Sequence, residues 1–203
     1  MRSGPLMVRS QGGRRIGVFG GTFDPPHIGH LVAAIDAQRA LDLDVVLLVV
    51  ANVPWQKVGS REVSPSADRL AMVEAAVADT PFLEVSDLEL QRGGPSYTAD
   101  TLADLSAAEP DAQLFVILGD DAAAGFATWE RYDEVADRAT LVVVDRPGHP
   151  TPVDERFTWV RVDIPELELS STELRERVAD GRSIRHLTPT GVASVIKDRS
   201  LYR

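Results

Sequence analysis

Apolar positions in this chain fall into short, β-branched runs separated by amphipathic stretches. Ile16–Phe19, Val45–Val50, Leu114–Leu118 and Leu141–Val144 are almost continuously apolar. Runs of that length without alternation predict strands buried on both faces of a parallel sheet. Between them, Leu31–Leu41, Ser66–Ala78 and Thr98–Ala108 carry apolar residues at helical spacing, with Ser66 placed to cap the second. Phe82–Val85 and Thr158–Val162 read as weaker strands. After Ser170 the pattern is helical again, with apolar Leu174, Val178, Val192 and Ile196. Strands alternating with helices predict an α/β fold: a doubly wound, Rossmann-like, mainly parallel sheet with helices on both faces and a small C-terminal helical segment. There is no internal repeat and no linker. Residues 14–203 are expected as one domain, preceded by residues 1–13 as a flexible extension.

Sheets of this kind take ligands beyond the carboxyl ends of their strands, where the strand order reverses. Four distinctive clusters follow predicted strands: Gly20–His30, Asn52–Lys57, Gly119-Asp120-Asp121 and Arg146-Pro147-Gly148. The first, G-G-T-F-D-P-P-H-I-G-H, reads as strand, glycine turn and helix start, a place suited to phosphate. Pro25 and Pro26 are expected to preset the first helical turn. His27 and His30, three apart, would then share a helix face.

Two further clusters carry chemistry. Ser170-x-x-Glu173 is a capping box. Ser171 and Thr172 lie four and three residues from Arg175, so two hydroxyls and a guanidinium share a helix face beside free N–H groups, which makes a phosphate clamp. Gly119-Asp120-Asp121 suits either a helix cap or carboxylates for ribose hydroxyls. Asp68 and Arg69 read as solvated or structural.

Charge and composition narrow the partners. The net charge of -10 disfavours binding to nucleic-acid backbones, so an anionic ligand needs a locally positive pocket. The chain has no cysteine, which removes disulfides, thiolate catalysis and cysteine metal sites. No apolar stretch approaches a membrane span, and Met1–Arg15 lacks the apolar core of a secretory signal. The expected location is the cytoplasm, without a membrane partner. A homo-oligomer is compatible with the sequence.

The G-G-T-F-D-P-x-H-x-G-H string resembles the nucleotidyltransferase superfamily, and its wording is similar to the bacterial nicotinate-mononucleotide adenylyltransferases. The same branch is matched by Ser96-Tyr97-Thr98 with Asp100-Thr101-Leu102, by Gly119-x-Asp121 with Trp129, by Arg146-Pro147-Gly148, by Ser170-Ser171-Thr172-x-x-Arg175, by Ile184-Arg185-x-Leu187-x-Pro189 and by Leu201-Tyr202. The resemblance implies adenylyl transfer from ATP, with Mg²⁺ bound alongside, to nicotinate mononucleotide, giving deamido-NAD and pyrophosphate. It implies direct in-line displacement without a covalent intermediate, since the attacking phosphate is already anionic.

By the same resemblance, ATP is held by Gly20, Gly21, Thr22, Phe23, His27, His30, Gly119, Asp121, Ser171, Thr172 and Arg175. Nicotinate mononucleotide is held by Asp24, Lys57, Tyr97, Thr98, Trp129 and Arg146. His27, His30, Lys57 and Arg175 carry the charge stabilisation, with no protein metal site. One departure stands out: Trp55-Gln56 replaces the family's Pro-His before Lys57. Pantetheine-phosphate adenylyltransferases, cytidylyltransferases and class I aminoacyl-tRNA synthetases share parts of the His-x-Gly-His wording. They do not account for Ser96–Leu102, and the K-M-S-K-S string of the synthetases is absent.

Overall fold

A computed structural model describes residues 13–54, 62–145, 148 and 150–203. Six strands form one parallel sheet: β1 (Arg15–Gly21), β2 (Val45–Val50), β3 (Leu83–Ser86), β4 (Gln113–Leu118), β5 (Ala139–Asp145) and β6 (Trp159–Asp163). Their order is β3-β2-β1-β4-β5-β6. The doubly wound architecture expected from the pattern is therefore present, and the strand order reverses between β1 and β4. Around the sheet lie α1 (Ile28–Leu41), α2 (Ser66–Val77), α3 (Leu88–Arg92), α4 (Thr98–Ala108), α5 (Asp120–Ala124), α6 (Tyr132–Arg138), α7 (Ser171–Ala179) and α8 (Thr190–Asp198). A 3-10 turn covers Phe126–Thr128.

Side chains alternate across the sheet, so each apolar run feeds two cores. On one face Phe19, Val46, Leu48, Phe115, Ile117, Val142 and Val144 pack with Ala34 and Ala37 of α1, Met72 and Val73 of α2, Leu174 of α7 and Ile196 of α8. On the other, Ile16, Val18, Val45, Val116, Leu141 and Val143 pack with Ala99 and Leu102 of α4, Phe126, and Val135 of α6. Each such Val, Leu, Ile or Phe contributes about 1.5–3 kcal/mol by burial. Burial on both faces is why these strands read as continuous apolar runs.

The structure revises three local expectations. Gly20 and Gly21 are not turn residues: they end β1, in register with Val49 and Val50. The parallel ladder with β2 holds them extended, and the turn begins at Thr22. Pro25 and Pro26 precede the helix and do not open it, because α1 starts at Ile28 with His27 as its extended N-cap. Pro65, and not Ser66, caps α2. Residues 1–12, most of the expected extension, lie outside the described residues.

Candidate active site

A cavity of about 170 Å³ opens where the strand order reverses. Its walls are the carboxyl end of β1 (Val18–Gly21) with Thr22, the carboxyl end of β4 (Val116–Leu118) with Gly119, the segment Ser96–Thr98, and Trp129, with Glu89 and Thr101 also on the wall. Of the expected site residues, Gly20, Gly21, Thr22, Tyr97, Thr98, Gly119 and Trp129 meet here. A Cβ added at Gly20 or Gly119 would point into open space, so both glycines leave backbone exposed to a ligand. Ser96 is tied to the loop after β2: its Oγ accepts from Asn52 N–H at 2.8 Å and its N–H donates to Val53 O at 3.1 Å. Tyr97 caps α4, and Thr98 is its first residue.

The glycine-rich string then turns away from the cavity, and its spelling has steric reasons. Phe23 adopts a left-handed backbone, φ 49°, and folds its ring back over Gly21. A Cβ on Gly21 would stand 2.7 Å from that ring. The Phe23 ring also meets His30, with centroids 5.2 Å apart. Gly29 serves His27 in the same way: a Cβ there would come within 3.0 Å of His27 Nδ1.

The two histidines stack, with ring centroids 3.8 Å apart and planes tilted by 32°. Only His30 lies on the helix. Its Nδ1 accepts the His27 backbone N–H at 3.1 Å, so a neutral His30 carries its proton on Nε2. His27 is 8% exposed, and its Nδ1 has no hydrogen-bond partner. Burial lowers its pKa from 6.5 to about 4. At neutral pH the His27 ring is therefore uncharged in this structure. A neutral imidazole keeps one N–H, which is what the His27 ring has to offer in the donor role expected of the pair.

That depression has a consequence for stability. The unfolded chain binds the His27 proton below pH 6.5, but the native state binds it only near pH 4. Native stability from this group is thus complete above pH 6.5 and falls as pH drops toward 4, by roughly 1.4 kcal/mol per pH unit. Urea titrations should show a smaller acid loss for His27→Asn than for the parent chain. Equal pH slopes for the two proteins would refute this.

The C-terminal segment straps the Asp24–Pro26 turn down. Three consecutive carbonyls accept from it: Asp24 O from Arg175 at 2.9 Å, Pro25 O from Ser171 Oγ at 2.8 Å, and Pro26 O from Thr188 Oγ1 at 2.7 Å. Ile28 N–H donates to Leu187 O at 3.0 Å. Arg175 also donates to Thr172 Oγ1 at 2.9 Å. Ser171, Thr172 and Arg175, expected to clamp phosphate, thus lie beside the histidine turn at the N-terminus of α7, where Ser170 Oγ accepts Glu173 N–H at 3.1 Å. In this structure Ser171 and Arg175 donate to that turn, and Arg175 donates to Thr172 as well.

Asp24, expected at the mononucleotide, does not line the cavity. Its carboxylate is 1% exposed and accepts from Tyr202 Oη at 2.7 Å. Asp121 lies exposed on the first turn of α5, capped by Gly119. Lys57 and Arg146 fall outside the described residues. The base of the Arg146 loop is nonetheless fixed. Asp145, 3% exposed, accepts from Thr151 N–H at 2.9 Å and from Arg161, which also donates to Thr151 O at 3.0 Å. Burial pushes the Asp145 carboxyl up, but these donors outweigh it and hold it below the usual range.

Two residues gave no functional signal in the sequence. Arg69 is 1% exposed and donates to Thr22 O (3.0 Å), Asn52 O (3.1 Å) and Ser64 O (2.9 Å), joining the turns after β1 and β2 to the approach to α2. Glu89 is 6% exposed and accepts from Thr101 Oγ1 at 2.6 Å. Among the described residues no three His, Asp or Glu side chains form a metal-binding cluster. Among the described residues no helix is long and apolar enough to cross a membrane.

Comparison with known proteins converges on this arrangement. The cytidylyltransferase-like family model matches residues 18–177. A probable nicotinate-nucleotide adenylyltransferase of Corynebacterium glutamicum is 44% identical over 93% of this chain and 88% of its own length. One from Thermus thermophilus is 46% identical over 93% of this chain and all of its own. A solved Plasmodium falciparum nicotinic acid mononucleotide adenylyltransferase, complexed with NaAD, shares the fold with TM-score 0.74 at 18% identity, covering 93% of this chain and 97% of that one. With the reversal-point cavity, the histidine-bearing turn and relatives matched along their length, the chain belongs to the nicotinate-nucleotide adenylyltransferase family of cytidylyltransferase-like nucleotidyltransferases.

Proposed function

We propose that this chain transfers the adenylyl group of MgATP to nicotinate mononucleotide, releasing pyrophosphate and forming deamido-NAD for NAD biosynthesis. The observation that carries the reading is the meeting of Gly20–Thr22, Ser96–Thr98, Gly119 and Trp129 around one cavity at the sheet's reversal point. The relatives' names supply the substrate class.

In this reading the 5′-phosphate of the mononucleotide attacks the α-phosphorus of ATP in line, and the bond to pyrophosphate breaks. The nucleophile is already an anion, so no general base and no covalent intermediate are needed. Catalysis then rests on alignment and on stabilising the leaving group's charge. Good alignment alone can supply roughly 7–11 kcal/mol. Gly20, Gly21, Thr22, Phe23, Gly119 and Asp121 form the ATP side. His27 and His30 donate to the phosphates, and Ser171, Thr172, Arg175 and Lys57 add hydroxyls and positive charge. Tyr97, Thr98, Trp129 and Arg146 serve the mononucleotide, while Asp24, buried off the cavity wall, acts only by holding the histidine turn. Mg²⁺ enters as part of the nucleotide substrate, held by phosphate and water. The proposal places the reaction in the cytoplasm, with no nucleic-acid partner.

The test is pyrophosphate release from MgATP with nicotinate mononucleotide, nicotinamide mononucleotide and phosphopantetheine in parallel. Release is expected with a pyridine mononucleotide and above all with the nicotinate form. Release with phosphopantetheine alone would overturn the reading. Trp129, a ring on the cavity wall, stacks on the pyridine in this scheme. Trp129→Ala should raise KM for the mononucleotide roughly tenfold or more, with a smaller change for MgATP. Equal changes would remove the stacking role.

A further inference from the structure

The penultimate residue reaches the active-site turn from the far end of the chain. After α8 the backbone enters the left-handed region twice, at Ser200 (φ 53°) and Tyr202 (φ 64°). Such conformations are costly for residues with side chains and persist only where the surroundings enforce them. Here they bring Tyr202 back under the histidine turn, where its hydroxyl donates to Asp24 Oδ1 at 2.7 Å. Asp24 Oδ2 in turn accepts Ser64 N–H at 3.4 Å. Asp24 is buried, and Tyr202 is partly buried against it. Burial, then the bond to Asp24, pushes the Tyr202 hydroxyl well above its ordinary range, so it stays protonated and donating at any working pH.

Asp24 sits between Phe23, whose left-handed backbone seats its ring against His30, and the two prolines that lead into His27. The carbonyls of this turn are held by Arg175, Ser171 and Thr188. The Asp24 side chain is held by Tyr202 and Ser64. Resting on the adenylyl-transfer reading, we propose that Tyr202 is a positioning residue: through Asp24 it fixes the turn that aims His27 and His30 at the triphosphate. It touches no substrate. The cavity walls come from other elements, so mononucleotide binding does not depend on it.

Tyr202→Phe removes only the hydroxyl. kcat should fall about tenfold or more, as expected for misplacing reacting groups by a fraction of an ångström. KM for nicotinate mononucleotide should stay within about twofold, because its walls are untouched. The chain has four histidines, so imidazole nitrogen NMR signals can be resolved one by one. Those of His27 and His30 should shift in the variant. Tyr202→4-aminophenylalanine, which keeps a weaker donor of the same shape, should recover part of kcat, and it carries the test if the phenylalanine variant does not fold. Unchanged kcat per folded enzyme with unmoved imidazole signals would overturn the proposal, even with a lowered Tm. So would kcat and KM changing in proportion, or wild-type kcat in the aminophenylalanine variant with shifted signals in neither. If the parent chain itself releases no pyrophosphate, the functional reading falls alone, and the imidazole signals still decide the role of Tyr202.

Discussion

His30→Ala is expected to lower turnover by roughly 10²- to 10³-fold, the range for losing one preorganised donor to developing charge. The fold should survive. His30 is only partly buried, at the third position of α1, and its Nδ1 accepts the His27 N–H. Losing a cap of this kind costs about 1 kcal/mol. The two roles can be separated. Glutamine at the third helical position is the usual capping-box partner of the cap residue's N–H. His30→Gln should therefore regain most of the lost stability and none of the turnover. If glutamine restores both, His30 only holds the helix start; if the alanine variant turns over normally while folded, the phosphate role is gone. The comparison is made by kcat for pyrophosphate release alongside urea midpoints for the three proteins.

Much of this site could be read from the chain because its parts are local. Gly21 and Gly29 owe their identity to rings two residues away, Phe23 and His27, and such short-range sterics leave a fixed spelling in the sequence. The strands were equally legible, since burial on both faces forces apolar residues at every position. Short helices were not. α3, α5 and α6 span five to seven residues, too few turns for periodicity to register. The helix start was misplaced by the same limit: prolines that suit a first turn also suit the residues ahead of a cap. Least legible were bonds that close over long stretches of chain. Tyr202 to Asp24 and Thr188 to Pro26 link residues more than 160 positions apart. Leu201-Tyr202 matches the family pattern, but only the tertiary fold shows that the Tyr202 hydroxyl meets Asp24 and that Thr188 meets Pro26. The role of Ser171 and Arg175 shifted for the same reason, from a clamp awaiting phosphate to one that also carries the histidine turn.

Arg69 makes the strongest case of that kind. In the sequence it is one charged residue on an amphipathic helix, where the solvated reading is natural. In the structure its guanidinium is 1% exposed and its Nε, Nη1 and Nη2 each donate to a main-chain carbonyl. Charged side chains are almost never buried so fully unless paired, and a planar fork of five donors suits three converging carbonyls as lysine cannot. Arg69→Met would fill similar volume but leave the part-buried Thr22 O, Asn52 O and Ser64 O without these donors. Each unsatisfied group costs about 1–3 kcal/mol, and water entering the site relieves part of it, so the net loss should be about 3–5 kcal/mol. A domain holds only about 5–15 kcal/mol in all. At about 2–4 °C per kcal/mol for a chain of this size, Tm should fall by roughly 6–20 °C. Arg69→Lys, reaching fewer of the carbonyls, should lie between. The damage should also be felt at the cavity, since Thr22 and the turn after β2 lose their common anchor. In variants kept folded at low temperature, KM for both substrates should rise together, unlike the one-sided change expected for Trp129→Ala. A Tm within about 2 °C of the parent for the methionine variant would mean the three carbonyls find other partners at little cost, and that Arg69 is not what holds these turns together.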